Sequence, residues 1–419
     1  LSMASWKLTP LFSLDDALGV VRPMFTLENH GLIFDATRQS PEGRIAYFTS
    51  LCPLRSGAIL CGFQNGPGKH AATSTIRLCR SPDGGQSWAL LPVRFETQMA
   101  GVPGSLAAAE VVEIEAGRLL LFSTWFDRSD PARPLFDPLT EGILKSKQLL
   151  AVSHDDGMSW SAWRELSTGD LKGCSLTGPV LRWNDGTIAV PLESFKEFDD
   201  PRPGRHAAWL LVSRDGGESF SPPMLVAQHP EHKIYYWDQR LCPGANPGEF
   251  TALFWTHHLA EKRDLTVHLR HGLVTGETVD VSPVRATPIP GQIAAPARLD
   301  DGRLLAFVVD RGRPGTMTLW CSRDNGRTWP AAERLVVYTH EERAAITQGR
   351  ENIDFKQYWE DMGKWSFGHP AVRPLTGGRV LLAWYAGDPD CMSLHWARIS
   401  CAGQGRDFAG EERFAIWEK

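Results

Sequence analysis

"SPDGGQSW" occupies residues Ser81 to Trp88, and three close variants follow it along the chain. They are "SHDDGMSW", "SRDGGESF" and "SRDNGRTW", which begin at Ser153, Ser213 and Ser322. Each octet follows a short apolar segment, such as "TIRLCR" or "WLLVS", and ends in an aromatic residue. The aspartate can accept backbone N–H bonds within a tight turn, and the glycine supplies a positive φ. The pattern therefore predicts a strand, a tight turn and an inward-packing aromatic residue, four times over.

A second repeated pattern gives the period of the architecture. It consists of an apolar strand, a glycine turn and another apolar strand. It occurs six times, over residues 50–63, 108–125, 178–192, 238–255, 295–309 and 369–385. Short strands that recur at a period on the order of 50 residues are typical of β-propeller blades. The sequence therefore predicts an all-β protein, a six-bladed β-propeller.

The length of 419 residues exceeds what one layered core usually holds, but a repeat needs only its neighbours. We therefore expect a single propeller domain over residues 1–419, in which the segment around "GLIFDAT" supplies the outer strand that closes the ring. An insert at 338–368 is either a lid or a subunit contact. Two β-sandwich domains are the alternative, but no Pro-, Gly- or Ser-rich linker divides the chain. The blades are expected at about 44–95, 105–165, 174–225, 235–280, 291–335 and 365–402.

Composition excludes several classes of partner. The net charge is -5 with no long basic stripe, which disfavours nucleic acid, and no apolar run approaches the ~20 residues of a membrane span. The cysteines form no CxxC pair, so we expect free thiols, no metal site and no cofactor. The N-terminal residues lack a signal-peptide pattern, which favours a cytoplasmic protein; a removed leader would instead mean secretion. The eight cysteines are Cys52, Cys61, Cys79, Cys174, Cys242, Cys321, Cys391 and Cys401.

The octets resemble the Asp-box, or BNR repeat, of the sialidase (neuraminidase) superfamily, and the resemblance runs from about residue 44 to residue 399. It implies a six-bladed propeller with four Asp-box turns. Propeller geometry places those turns on the face opposite the loops that join second and third strands. The octets are therefore predicted to be structural. The chemistry is expected where those other loops and the entries of the first strands meet.

The resemblance also implies site residues. The superfamily uses three arginines for the substrate carboxylate, a tyrosine nucleophile activated by a glutamate, and an aspartate acid/base. Here Arg44 lies near the first arginine position, although Tyr47 falls there in strict register. The first-blade loop "QNGPGKHAATS" has no carboxylate, so only His70 and Lys69 can move a proton there.

Further along the chain, Asp238 in "YWDQRL" matches the glutamate position. His369 in "GHPAV" matches the tyrosine position, and Tyr385 lies one strand on. "WTHH" replaces an expected arginine, with His257 or His258 nearby. The frame of the superfamily is present, and its catalytic constellation is replaced by other residue types.

Asp238 and Glu193 are the candidate carboxylate pair, in which a separation of ~5–5.5 Å indicates retention and ~6.5–9.5 Å inversion of configuration. His369 and His257 are the candidate proton carriers. Solvated loop charges and buried aromatic packing are the alternative explanations for all of these residues. The candidate substrate-binding residues are Arg44, His70, Arg128, Trp125, His206, Tyr236, Arg240, Arg311, Arg313 and Tyr385.

Three functions fit this pattern. The first is a sialidase-like exo-glycosidase that hydrolyses a terminal, acidic sugar. The second is a polysaccharide lyase, in which arginine neutralises a uronate and histidine or tyrosine removes a proton. The third is a propeller that binds glycans without catalysis. In each case the expected partner is a glycan or a small acidic sugar, and the sequence does not define an oligomeric state.

Overall fold

Antiparallel β-strands form nearly all regular structure in the computed structural model, which describes residues 24–312, 314–340 and 365–401. Three short 3-10 helices occur in those ranges, at Ala36–Arg38, Pro41–Gly43 and Ala331–Glu333. The all-β prediction is confirmed. Most of the predicted insert at 338–368, namely residues 341–364, lies outside the described residues.

The described strands are β1 (Phe25–Phe34), β2 (Ile45–Pro53), β3 (Ile59–Gly66), β4 (Thr75–Ser81), β5 (Ala89–Leu90), β6 (Gly104–Glu115), β7 (Arg118–Asp127), β8 (Ser146–Ser153), β9 (Arg164–Leu166), β10 (Cys174–Leu176), β11 (Leu181–Arg182), β12 (Ile188–Ser194), β13 (Ala207–Ser213), β14 (Met224–Ala227), β15 (Ile234–Pro243), β16 (Glu249–His258), β17 (Arg263–Asp264), β18 (His268–Thr275), β19 (Thr278–Val281), β20 (Arg285–Ala286), β21 (Ala294–Arg298), β22 (Leu304–Asp310), β23 (Gly315–Ser322), β24 (Arg334–His340), β25 (Phe367–Leu375), β26 (Arg379–Asp388) and β27 (Cys391–Cys401).

These strands pair into antiparallel units in chain order. Four sheets run β6-β7-β8-β9, β10-β12-β13-β14, β15-β16-β18-β19 and β21-β22-β23-β24. The largest sheet holds two more units, β2-β3-β4-β5 and β25-β26-β27-β1, which one parallel bridge between Ile45 and Met392 joins. The segment around "GLIFDAT" lies in β1, which pairs with β27, so its predicted place as an outer strand is confirmed.

The first strands of the units contact one another in a closed ring. β2 contacts β6 and β25, β25 contacts β21, and β21 contacts β15. The ring continues through β11, which contacts β15 and β6. Apolar side chains fill the spaces between adjacent units, because both faces of each unit are covered by a neighbour. The fold is a β-propeller.

Each octet folds into the same hydrogen-bonded turn. In the first octet the Ser81 hydroxyl donates to Asp83 at 2.8 Å and accepts from the Gly85 N–H at 2.8 Å. Asp83 also accepts from the Ser87 N–H at 2.9 Å, and the Trp88 indole donates to the Gly85 carbonyl at 3.1 Å. The predicted role of the aspartate as an acceptor of backbone N–H groups is confirmed. The equivalent serine–aspartate pairs are Ser153–Asp155, Ser213–Asp215 and Ser322–Asp324.

The glycine of each octet packs against the neighbouring unit. A Cβ at Gly157 would come within 2.8 Å of Leu60, and one at Gly217 within 2.5 Å of Leu120. Both glycines also have a positive φ, of 85° and 90°. The octets therefore fix the contact between neighbouring units, as expected of a structural element. None of their residues lines the pocket described next.

Candidate active site

A pocket lies on the axis of the ring, because its lining includes a residue on or next to the first strand of every unit. The remaining lining residues come from the ends of second strands and from the loops that follow them. The lining residues are Tyr47, Phe48, Lys69, His70, Ala107, Phe126, Leu135, Phe136, Ile143, Ser175, Glu193, Phe195, Trp237, Asp238, Trp255, Ile293, Arg311, Trp365, His369 and Tyr385.

Four of the first strands carry a β-bulge at the same place, where one extra residue interrupts the pairing with the second strand. The first bulge residues in β2, β6, β15 and β25 are Phe48, Ala108, Asp238 and His369. Their φ angles are 55°, 62°, 50° and 53°, respectively. A positive φ outside glycine costs about 1–3 kcal/mol and clusters at functional sites. Because a bulge re-aims its side chains, three of these four residues line the pocket.

Glu193 and Asp238 form a carboxyl pair in which the two groups have different environments. A Glu193 carboxyl oxygen (Oε2) accepts the Asp238 backbone N–H at 3.1 Å. The Asp238 carboxylate is held by the Arg240 guanidinium, with Oδ1 at 3.0 Å from Nε and 2.6 Å from Nη2. Burial, followed by the negative charge of Asp238, raises the pKa of Glu193 to about 8. At neutral pH Glu193 therefore carries a proton, whereas the Asp238 carboxyl group is paired with the Arg240 guanidinium.

His206 lies behind this pair. Its Nε2 is 3.0 Å from the Tyr236 carbonyl oxygen, to which it donates, and 3.7 Å from Glu193 Oε2. Burial lowers the pKa of His206 to about 4. The ring is therefore neutral, and it supports Glu193 without lining the pocket.

The opposite side of the pocket carries the basic side chains Lys69 and Arg311. The Lys69 ammonium nitrogen donates to the Tyr385 hydroxyl at 2.7 Å and lies 4.4 Å from the centre of that ring. The Arg311 guanidinium stacks over Trp365 at 4.0 Å and donates to the Phe367 carbonyl at 3.1 Å. Burial lowers the pKa of Lys69 well below its ordinary value and raises that of Tyr385.

His70 reaches the pocket on a loop that is fixed from two sides. Its backbone N–H donates to the Tyr47 hydroxyl at 2.6 Å, and its carbonyl accepts from Arg128 at 2.8 Å. Arg128 is itself buried and donates to Ser105 at 2.8 Å. Burial lowers the pKa of His70 to about 3, so its ring is neutral. Arg128 is therefore placed as a support of the His70 loop.

Several predicted site residues lie away from the pocket. Side chains alternate between the two faces of a strand, so Tyr236 packs against Phe254 on the face opposite Trp237. Trp125 likewise points away and donates to the Thr97 carbonyl at 2.8 Å.

Arg44 and His257 also lie outside the pocket lining. Arg44 is exposed beyond the start of its strand, where it bonds to the Gln39 carbonyl at 3.3 Å. His257 is 1% exposed; it stacks on Trp237 with ring centres 5.2 Å apart and contacts Asp264 at 3.2 Å. It can therefore position the Trp237 ring without touching the contents of the pocket.

Arg313 lies outside the described residues, so its predicted role stays a prediction. Of the other predicted binding residues, His70, Arg311 and Tyr385 line the pocket, whereas Arg128 and His206 lie behind it as supports. Asp238, Glu193 and His369 meet as expected, and Arg240 links two of them from behind. Their catalytic roles stay predictions.

Sequence reasoning missed an apolar wall on one side of the pocket. Phe126, Leu135, Phe136, Ile143 and Phe195 form it, and a bridge between Phe136 and Ile143 folds the loop over the pocket. The signal is weak: two short apolar runs, "PLF" and "GIL", interrupt an otherwise polar loop. Lys69 was named from the sequence as a possible proton carrier, but its contact with Tyr385 was not predicted.

Among residues 24–312, 314–340 and 365–401, no group of three or more His, Cys, Asp or Glu side chains is placed to hold a metal ion. Within the same part of the chain, no helix has both the length and the apolar character needed to cross a bilayer.

No protein-family model and no curated protein sequence matches the chain. Solved structures do. A Dyadobacter fermentans protein of unknown function has 17% identity and a TM-score of 0.69, covering 91% of this chain and 100% of that one. The Hadza microbial sialidase Hz136 has 15% identity and a TM-score of 0.63, with 88% and 68% covered. The Penicillium chrysogenum α-L-arabinanase complexed with arabinobiose has 14% identity and a TM-score of 0.55, with 88% and 98% covered. These similarities establish the fold, a propeller of the kind found in sialidases. They do not identify the reaction, which has to be argued from the residues of the pocket.

Proposed function

We propose that the protein is a glycoside hydrolase that removes a terminal, acidic sugar, with Glu193 as the proton donor. The observation that carries this proposal is the placement of Glu193 beside Asp238, where Glu193 accepts the Asp238 backbone N–H and is held protonated, and Asp238 is paired with Arg240. Pairs of titratable groups whose environments separate their protonation states mark acid and base assignments. The fold neighbours include a sialidase and an arabinanase, which supports a carbohydrate-active propeller.

In this reaction Glu193 protonates the leaving glycosidic oxygen as its bond to the anomeric carbon breaks. Positive charge develops on the sugar ring, and the Asp238 carboxylate stabilises that charge. A water then adds to the anomeric carbon; its proton returns to Glu193 if Asp238 has attacked the sugar, and passes to Asp238 if Asp238 activates the water. The configuration of the released sugar, read by NMR during turnover, tells whether Asp238 attacks the sugar or activates the water.

Arg311 and the aromatic rings define the preferred sugar. The Arg311 guanidinium lines the pocket and favours a carboxylate on the sugar. The rings of Trp237, Trp255 and Trp365 supply flat apolar surfaces against which a pyranose can stack. An acidic monosaccharide at the end of a glycan suits this combination of groups.

The test is a panel of sialosides, uronides and neutral glycosides, offered to the wild type and to two variants. Hydrolysis of an acidic glycoside, lost in both Glu193→Gln and Asp238→Asn, is the expected result. Glu165→Gln is the matched control, because that glutamate is 50% exposed and pairs with Lys147 on an outer strand. Full activity in Glu193→Gln rejects the assignment of the proton donor. Binding without turnover across the panel indicates a glycan-binding propeller.

A polysaccharide lyase is the second candidate, and the contact between Lys69 and Tyr385 favours it. The lowered pKa of Lys69 favours its neutral amine, which can take the phenol proton, and the resulting phenolate can remove the proton next to a uronate carboxylate. Glu193 then protonates the leaving oxygen, as in hydrolysis. A new ultraviolet-absorbing double bond, formed without uptake of water and lost in Tyr385→Phe, distinguishes this reaction from hydrolysis.

A further inference from the structure

His369 meets Arg240 edge to edge beneath the pocket. The Arg240 guanidinium, already anchored on Asp238, contacts the Nε2 atom of His369 through Nη2. A guanidinium has five N–H donors and no acceptor. Nε2 of His369 must therefore be the acceptor in this contact, and the single proton of the neutral ring lies on Nδ1.

The surroundings of His369 keep the ring neutral. It is 5% exposed, and Phe48 packs against it with ring centres 4.7 Å apart. Burial, then the positive charges of Arg240, Lys69 and Arg311, hold the pKa of His369 well below its ordinary value. A second proton would also displace the Arg240 hydrogen bond, because Nε2 has only one lone pair.

The acidic groups near His369 are already engaged with other partners. Asp238 accepts two bonds from Arg240, and Glu193 accepts the Asp238 backbone N–H. The Tyr385 hydroxyl, on the strand paired with β25, accepts from Lys69. None of these side chains is a hydrogen-bond partner of the Nδ1 atom of His369 among the described residues.

Two buried residues of the pocket thus present donors without partners. His369 Nδ1 and the Nε and Nη1 atoms of Arg311 have no hydrogen-bond partner among the described residues. The side chains are 5% and 3% exposed, and both residues line the pocket. Leaving a buried donor unpaired costs about 1–3 kcal/mol, so a ligand oxygen that pairs with it gains affinity.

We infer that His369 is a fixed Nδ1–H donor and never a base, and that with Arg311 it forms a donor-only subsite for a negatively charged oxygen of the ligand. The location of the proton follows from the contact with Arg240 alone. The oxygen subsite rests on the proposed function only in that a sugar acid must enter this pocket. Proton removal in this site therefore falls to a group other than His369.

NMR of the full chain labelled with ¹⁵N-histidine tests the location of the proton without any ligand. The His369 signal, identified by its loss in His369→Asn, should show a protonated Nδ1 and an unprotonated Nε2. It should stay so from about pH 8 to about pH 5, the range in which an ordinary histidine gains charge. An imidazolium signal at the acidic end, or a proton on Nε2, overturns the inference.

A matched pair of variants tests the subsite. Asparagine and aspartate have the same shape and both tolerate the positive φ of position 369, but only asparagine keeps an N–H near Nδ1. The probes are glucuronic acid and N-acetylneuraminic acid, with affinity measured by calorimetry. We expect His369→Asn to stay close to the wild type and His369→Asp to bind roughly tenfold or more weakly.

Equal losses in the two variants overturn the donor role, and so does a wild type that binds neither acid. Thermal unfolding of both variants is the control that each one is folded. The proposed hydrolase function fails independently of this subsite if the protein binds glycosides through His369 and Arg311 but never cleaves them.

Discussion

Glu193 holds a proton in the pocket at neutral pH, and glutamine reproduces its shape without its titration. The pKa of Glu193 is raised to about 8 in the folded protein, from an ordinary value of 4.5. The unfolded chain therefore releases this proton at a lower pH than the folded chain does. The contribution of Glu193 to wild-type stability is complete below about pH 4.5 and is lost as pH rises towards 8.

The size of the effect follows from this difference. At pH 7 the unfolded glutamate is ionised and the folded one is not, over a span of about 2.5 pH units, which corresponds to about 3 kcal/mol. Glutamine avoids this loss. An unfolding entropy of about 2.1 cal/mol/K per residue converts the gain into a rise in Tm of roughly 3 °C for a chain of this length. We therefore expect Glu193→Gln to be the more stable protein at pH 7.

Thermal unfolding of the wild type and Glu193→Gln near pH 4.5 and at pH 7 measures this effect. The difference in Tm between the two proteins should grow by roughly 3 °C between the two pH values. Glu165→Gln, an exposed glutamate on an outer strand, should show no comparable growth. A difference that is the same at both pH values refutes a protonated Glu193, and with it the proposed proton donor.

Three further outcomes are expected. The kcat/KM of the wild type should fall as pH rises through about 8, because the proton donor Glu193 is lost; a kcat/KM that does not fall there contradicts that role. Asp83→Ala should lower stability by about 1–3 kcal/mol, as measured by denaturant unfolding, and leave KM unchanged, because its bonds close a turn remote from the pocket. Gly62→Ala should destabilise by about 1–3 kcal/mol, since its Cβ would meet the Ala109 carbonyl oxygen of the next unit at 2.2 Å; an unchanged unfolding midpoint contradicts that close contact.

Much of the frame was predictable because it repeats. Four octets with one spacing of serine, aspartate and glycine predicted one turn, and the hydrogen bonds of Ser81, Asp83 and Gly85 form it. The predicted aromatic contact is more varied, since Trp329 is buried and Trp88 only partly so. The blade bounds and the single domain stay predictions, which the closed ring of first strands supports.

The pocket was harder to predict, because a bulge has no clear signature in this sequence. One extra residue shifts every later side chain to the other face of a strand. Glycine often marks such a position, but here the bulge residues are Phe48, Ala108, Asp238 and His369. Strand alternation alone therefore could not tell that Trp237 faces the pocket while Tyr236 does not.

The bulges also explain why a fold that resembles that of a sialidase does not by itself define the reaction. The octets and the glycines beside them set the distance between neighbouring units, and they touch nothing in the pocket. The bulge residues Phe48, Asp238 and His369 touch the pocket and contribute no octet contact. A chain can therefore change its reaction by exchanging residues at the bulges and keep every contact that defines the propeller. For this chain the informative positions are the bulges and the side chains they meet, above all Glu193 and Arg240.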